Sequence, residues 1–270
     1  MRAIRLDAAP WLASLRLSSN RKVSPAWAGK RIVITFNIAR WRAWAPGLAT
    51  SDDWLRWGRA ELAPSTDEAP DVSFLPAMQR RRLSRLARMV FAVGWPLAEG
   101  HERLPMVFAS RHGETPRTFD ILGDLAARQP LSPTQFSLSV HNAIVGLWSI
   151  IRGATCEMTA LAAAGDGLEH AVIEASALLA EGAPAVLLVV AEETPPPLYA
   201  PWIDDVPFPY ALGLLLTAGE QWRMTLGDDH ETSLGACRPH ALDLAVTLAS
   251  GAGHMKHQWK GRQWTWQRNL

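Results

Sequence analysis

An α/β layered fold built on a largely parallel sheet is predicted by three features of the sequence. Short continuous apolar runs, such as residues 185–190 and 210–217, have the length and composition of strands buried on both faces. Segments with apolar residues at helical spacing, such as Val172, Ala175 and Leu179, alternate with those runs. There is no internal repeat and no long Pro/Ser/Gly linker, so the alternation is assigned to one domain, residues 31–270.

The elements follow in order. Residues 1–30, rich in Arg, Ser and small side chains without periodicity, are expected to form a poorly ordered extension. Arg31 to Ile38 is a first strand, followed by the Pro46-Gly47 turn and a short helix capped by Ser51, with Asp52 and Asp53 in its first turn. One amphipathic helix is expected over 76–97, with an apolar stripe of Leu83, Leu86, Val90 and Val93 and a basic face of Arg81, Arg85 and Arg88. Residues 105–109 are a strand and 118–127 a helix. Thr155 to about Ala163 is extended, Ala164-Gly165-Asp166-Gly167 is a turn, and Gly182 stops the helix that follows. After strand 210–217, residues 222–226 are a separate candidate strand, 239–248 a helix with an early proline, and 263–266 a last strand.

Composition narrows the functional classes. The chain has 270 residues, 48% of them apolar, enough for a substantial core. Lys and Arg number 27 against 26 Asp and Glu, which removes any global electrostatic case for nucleic acid. Two cysteines, Cys156 and Cys237, make no disulfide framework and fit a reducing compartment. No apolar run approaches the roughly 20 residues of a bilayer span, and Trp11-Leu12-Ala13 is too short for a signal-peptide core. A soluble cytoplasmic protein is expected. The 13 tryptophans suit cores and partner surfaces alike.

A strand, a glycine-bearing turn and a helix would expose a nucleophile at the turn, but this turn holds only Ala, Gly and Asp. His112, in Ser110-Arg111-His112-Gly113-Glu114, lacks an accompanying G-x-S-x-G elbow and is expected to be a turn histidine held by local hydrogen bonds. His254-x-x-His257 has helical metal-ligand spacing without an evident third ligand, so a polar loop is expected and no metal or cofactor is assigned. Cys156 reads as a small buried hydrophobe.

The Ser132-Pro133 entry, the Asn142-Ala143-x-x-Gly146 helix, the Gly167 turn, the helix ending at Gly182 and the strand ending in Glu193 together resemble the N-terminal half of a β-ketoacyl synthase. Four further segments are similar to the chain-length-factor-like members of aryl polyene clusters. These are Arg40-Trp41-x-x-Trp44-Ala45-Pro46-Gly47, Phe74-Leu75-Pro76-Ala77-Met78, Phe108-Ala109-Ser110-Arg111-His112-Gly113-Glu114 and Pro207-Phe208-Pro209-Tyr210-Ala211.

The resemblance implies a thiolase-like αβα fold, here a single N-terminal-type half without the second, histidine-bearing catalytic half. It places Ala164 where a synthase has its cysteine, so no catalytic residue is expected, and condensation requires a thiolate there. It further implies a heterodimer with a full-length ketosynthase, Asn142, Thr155, Cys156, Met158 and Ala160 forming the interface. Leu86, Met89, Val90 and Val93 would shape the partner's acyl pocket. Arg81, Arg85 and Arg88 would receive an acidic acyl carrier protein. An unpaired apolar edge strand and half a thiolase fold both need covering. Two other readings stay open: a stand-alone acyl-thioester-processing enzyme using His112 or Cys156, and a homodimer that only holds acyl chains.

Overall fold

Seven strands share one sheet in the computed structural model, which describes residues 32–65, 68–228 and 238–269; the expected extension over 1–30 lies outside the described residues. The strands are β1 (Ile32–Trp44), β2 (Met106–Ala109), β3 (Met158–Leu161), β4 (Val186–Glu192), β5 (Tyr210–Asp228), β6 (His254–Trp259) and β7 (Arg262–Arg268). The order runs β3-β2-β4-β5-β7-β6, with β1 paired along β5 as well. β2 is parallel to β3 and to β4, whereas β5 is antiparallel to β1, β4 and β7. The sheet is therefore mixed rather than largely parallel. Residues 193–209 join β4 to β5 with a single turn of 3-10 helix, Ala200–Trp202, and without a crossover helix the chain returns antiparallel.

Alternation along the buried strands divides the core into two layers. In β4, Val186, Leu188 and Val190 face one cluster, while Leu187, Val189 and Ala191 face the other. Helices α1 (Ser51–Gly58), α7 (Gly167–Ala180) and α8 (His240–Ser250) cover the first face. Helices α3 (Arg85–Leu97) and α6 (Ala143–Arg152) cover the second. This is the expected αβα layering.

Several boundaries moved for local reasons. Thr50, not Ser51, caps α1, because Asp53 three residues later completes a reciprocal capping box with it. The helix expected over 76–97 is two helices, α2 (Ala77–Arg80) and α3. Ser84 stops and restarts the chain: its hydroxyl accepts from Ala87 N–H at 3.0 Å and donates to Glu114 at 2.6 Å. The candidate strand at 222–226 is the distal part of a 19-residue β5. Between the halves the register shifts. The Asn37 side chain bridges the gap, donating to Ala218 C=O and accepting from Gln221 N–H. A Cβ on Gly219 would overlap that amide, so only glycine fits.

On the second face, Phe91, Trp95 and Trp148 meet with ring centroids 5.0–6.1 Å apart. Arg152 closes this cluster, its Cζ 4.9 Å from the Trp95 ring and 5.4 Å from Trp148, while Nη2 donates to the carbonyls of Ala98 and His101. Arg152→Ala is expected to lower stability by about 1–2 kcal/mol in urea unfolding, and Arg152→Lys to recover less than about half, since an ammonium cannot serve both carbonyls and rings.

Between β2 and α6 the chain forms α4 (Thr115–Ala126) and α5 (Pro133–Ser137), neither of which contains a buried residue.

Candidate functional site

The C-terminal end of β3 leads into the turn where the sequence places a synthase nucleophile. β3 is shorter than expected: Met158–Leu161 pair with Met106–Ala109, and Cys156 lies before the strand rather than in it. Ala164 sits half-buried in the turn, two residues before Asp166, and offers only a methyl group. Trp259, at the tip of the β6–β7 hairpin, lies against the turn so closely that a Cβ on Gly165 would overlap its ring. The hairpin is fixed there by the buried Asp166 carboxylate. It accepts from Arg262 Nε and Nη2 at 2.7 and 2.9 Å and from Trp264 Nε1 at 3.1 Å. What is left beside the turn is a cavity of about 60 Å³, lined by Ser110, Ala164, Glu192, Tyr210 and Trp259 among others. That is room for a few waters, not an acyl chain.

The polar groups around this cavity hold one another. Burial pushes the Glu192 carboxyl up, against the backbone N–H groups of Arg111 and His112 and the Ser110 hydroxyl. Ser110 Oγ donates to Glu192 and accepts from Gly113 N–H, so it is engaged as a turn-holder. His112 Nε2 lies 3.0 Å and Arg111 Nη1 2.6 Å from the two oxygens of Asp205. Burial would raise the Asp205 carboxyl, but those two partners hold it down at about 2. His112 is thus part of an ion-paired loop clasp.

One further cluster was not legible in the sequence. Glu169, on α7, is completely buried; its Oε2 lies 2.8 Å from His240 Nδ1 and its Oε1 2.6 Å from His257 Nδ1 and 3.2 Å from Trp266 Nε1. His254-x-x-His257 is therefore neither a helix nor a polar loop. It lies on β6, where His254 is exposed and His257 is buried. Among the described residues, Glu169, His240 and His257 are the group whose donor atoms come close enough to suggest a metal. Their geometry does not fit one. The two imidazoles are stacked, with centroids 4.0 Å apart and planes 18° apart, so their nitrogen lone pairs run side by side instead of converging. Each Nδ1 instead meets its own carboxylate oxygen at hydrogen-bond distance. Burial alone would raise Glu169, yet the histidine hydrogen bonds and charges outweigh it and keep the carboxylate well below its ordinary range.

The three arginines of the expected basic face separate. Arg88 turns back to donate to the carbonyls of Leu83 and Arg80, tying α3 to α2. Arg85 donates to Glu68 C=O and stands 3.8 Å from Glu193. Only Arg81, in the break between the helices, is exposed. With Arg82 and Arg117 it rims a groove of about 540 Å³ between the starts of α3 and α4 and helix α5. The apolar stripe is core: Leu86, Met89, Val90 and Val93 are at most 1% exposed and pack against the sheet, with Leu86 alone of the four bordering that groove.

Of the expected interface residues, Met158 and Ala160 lie on β3 and Thr155 and Cys156 just before it, whereas Asn142 is the N-cap of α6. β3 is the terminal strand of the sheet, with Met158, Thr159, Ala160 and Leu161 all half-buried. Thr155 and Asn142 are exposed and Cys156 is half-buried. What the sequence did not reveal is the neighbouring arm, α4–α5, with Leu122, Leu125, Leu131, Phe136 and Val140 all exposed. Its only prior signal was apolar residues that no neighbouring element could cover.

Comparison with known proteins adds three findings. Residues 54–267 match the family model described as β-ketoacyl synthase, N-terminal domain. A chain of the complex between a ketosynthase (ApeO) and its chain length factor (ApeC) from Xenorhabdus doucetiae is 32% identical, with a TM-score of 0.76, over 87% of this chain and 100% of that one. The ishigamide ketosynthase/chain length factor aligns at TM-score 0.56 and 15% identity, over 83% of this chain and 74% of that one, a likeness of fold alone. No curated protein matches significantly. Among the described residues no helix is long and apolar enough to cross a membrane.

Proposed function

We propose, from the fact that the chain belongs to the β-ketoacyl synthase family, that it acts as a non-catalytic, chain-length-factor-like subunit of a ketosynthase heterodimer in aryl polyene or related acyl chain elongation. One observation carries the reading: the turn after β3, which in a synthase presents the nucleophile, presents Ala164 and is filled by Trp259. Decarboxylative Claisen condensation needs a thiolate to hold the acyl group and donors to stabilise the enolate oxyanion. In this reading both come from the partner.

The exposed apolar surface supports pairing. β3 leaves an unpaired edge, and the α4–α5 arm has no buried residue to fix it to its own domain. Helices of 12 and 5 residues are marginal alone in water, and the three large apolar side chains exposed on them, Leu122, Leu125 and Phe136, with Leu131 and Val140 beside them in sequence, call for a cover. Asn142, Thr155, Cys156, Met158 and Ala160 would join that contact. Leu86, Met89, Val90 and Val93 would act on the acyl pocket indirectly, by fixing the position of α3. Arg81, with Arg82 in place of the engaged Arg85 and Arg88, is the exposed base available to an acidic carrier protein.

Co-expression with the ketosynthase of the same cluster tests this. A stoichiometric complex is expected on size exclusion, active in condensation only when both chains are present and silent when the partner's cysteine is replaced. Condensation or acyl-thioester hydrolysis by this chain alone would make it an enzyme, with His112 and Cys156 the residues to test.

A further inference from the structure

Where β1, the distal part of β5, β7 and β6 lie side by side, the sheet has one face open to solvent. Side chains alternate between the two faces along each strand. Phe36, Trp222, Trp264 and Trp266 point into the first core cluster and are buried. The residues between them form rows across the four strands: Thr35, Arg223, Gln267 and His254 in one, Val33, Thr225, Thr265 and Lys256 in the next. The first row is exposed throughout, and so are Val33 and Lys256, with the two threonines half-buried between them. Neither row holds an acidic side chain, and among the described residues Arg223 and Lys256 take part in no ion pair. β6 is the last strand at this end of the sheet and β3 the last at the other. The face therefore stands away from the edge that the pairing reading gives to a ketosynthase.

Charge in this chain is balanced in total but not in place. Residues 1–31 hold 7 of the 27 basic side chains and 1 of the 26 acidic ones, which leaves residues 32–270 with 20 against 25. On a body that is acidic on balance, a face with two unpaired cations and no acid is a local exception. The basic segment is joined in the chain to Ile32, the first residue of β1. Its sequence also includes Trp11, Leu12, Leu15, Leu17 and Trp27, apolar and amphipathic side chains that the boundary between lipid and water accepts.

The pattern selects among anionic partners. Single-stranded nucleic acid is held by bases stacking on aromatic rings, and in this half of the sheet the rings of Phe36, Trp222, Trp264 and Trp266 lie on the buried face. The outer strands of a four-stranded face stand about 14 Å apart, broader than the major groove of about 12 Å that a duplex offers. A broad face of short polar side chains with separate cations instead matches a plane of anionic headgroups, where each Lys or Arg near the surface adds attraction that salt screens. We propose that this chain adsorbs to an anionic phospholipid bilayer through the face marked by Arg223 and Lys256, with the basic segment 1–31 adding attraction to the same bilayer. Adsorption there leaves the β3 edge free for a ketosynthase.

Co-sedimentation of the full chain with vesicles tests this. Vesicles of phosphatidylcholine containing about one-third phosphatidylglycerol are compared with phosphatidylcholine alone, at about 0.1 M and about 0.5 M salt. Binding at the lower salt is expected to be at least about tenfold tighter on the anionic vesicles, and the preference should vanish at the higher salt. Arg223→Glu/Lys256→Glu should weaken binding to anionic vesicles by about tenfold or more without moving thermal unfolding, since both side chains are exposed. Arg223→Gln/Lys256→Gln should act in the same direction by less. Arg16→Gln/Arg21→Gln/Lys22→Gln, in the basic segment, should also weaken binding by about tenfold. The proposal is overturned if the two kinds of vesicle bind alike, or if the sheet-face or the segment variants bind as the native chain does. It is also overturned if single-stranded or duplex DNA binds more tightly than the anionic vesicles, which would assign the face to nucleic acid. Vesicle binding needs no ketosynthase, so this proposal can fail while the pairing reading stands.

Discussion

Phe136→Asp on α5 is expected to reduce the ketosynthase recovered with this chain by roughly a hundredfold, equivalent to about 2.7 kcal/mol of association free energy. Phe136 is 63% exposed and α5 contains no buried residue, so thermal unfolding of the isolated chain should be unchanged. The size follows from desolvation: a carboxylate placed at the centre of an apolar contact must stay hydrated or be buried without a counter-charge. Leu125→Asp on α4, 57% exposed, should act in the same direction, and the pair together should prevent co-purification. Native-like recovery from the double variant would remove the arm from the interface and leave the β3 edge as the remaining candidate. The same variants assayed with partner present should lose condensation in proportion to lost complex.

The second large effect belongs to the isolated chain. Glu169→Gln should lower its unfolding free energy by about 3–5 kcal/mol at neutral pH, since it removes the charge at the centre of three N–H donors and sets an amide N–H against an imidazole. The pH dependence has a definite sign. The folded Glu169 carboxyl is depressed relative to an ordinary value of 4.5, so its contribution is complete above about pH 4.5 and is lost as pH falls toward the folded value. Native protein should therefore weaken on acidification below about pH 4.5 more steeply than the Gln variant. Urea midpoints at neutral pH and at about pH 3.5 measure both effects. A loss under about 1 kcal/mol at neutral pH, or identical acid slopes, would show that the network adds nothing net.

Much of the architecture was legible because burial on both faces leaves a direct trace. β2 is an unbroken apolar run and β4 is one up to its final Glu192, and α7 repeats its buried positions at Leu168, Ala171, Val172, Ala175 and Leu179. The errors share a cause, which is local periodicity continuing through a tertiary event. Leu83, Leu86 and Val90 keep helical spacing across the Ser84 break, and nothing nearby in the sequence announces that Glu114, 30 residues on, holds that serine. Ala218-Gly219-Glu220-Gln221 reads as the end of a strand; it is a register shift stitched by Asn37, 181 and 184 positions away. Glu169 was hidden for the same reason, since its partners lie 71 and 88 residues later. Its trace is only a carboxylate on a helix face otherwise occupied by Leu168 and Val172. That the turn after β3 holds only Ala, Gly and Asp was visible directly, because an absent thiol is a fact of composition. Its occupant, Trp259, was not.

That occupant has a bearing on history as well as on chemistry. If only the cysteine had been lost, one codon change at Ala164 could restore a thiol in an otherwise working place. Here the ring of Trp259 has taken the room, Gly165 has fitted itself to the ring, and Arg262 and Trp264 have anchored the hairpin on Asp166. A returning thiol would meet an aromatic wall, and a smaller residue at 259 would gain nothing without the thiol. In the pairing reading proposed above, each step back is useless without the other, so the hairpin would act as a ratchet that keeps the chain dependent on a partner.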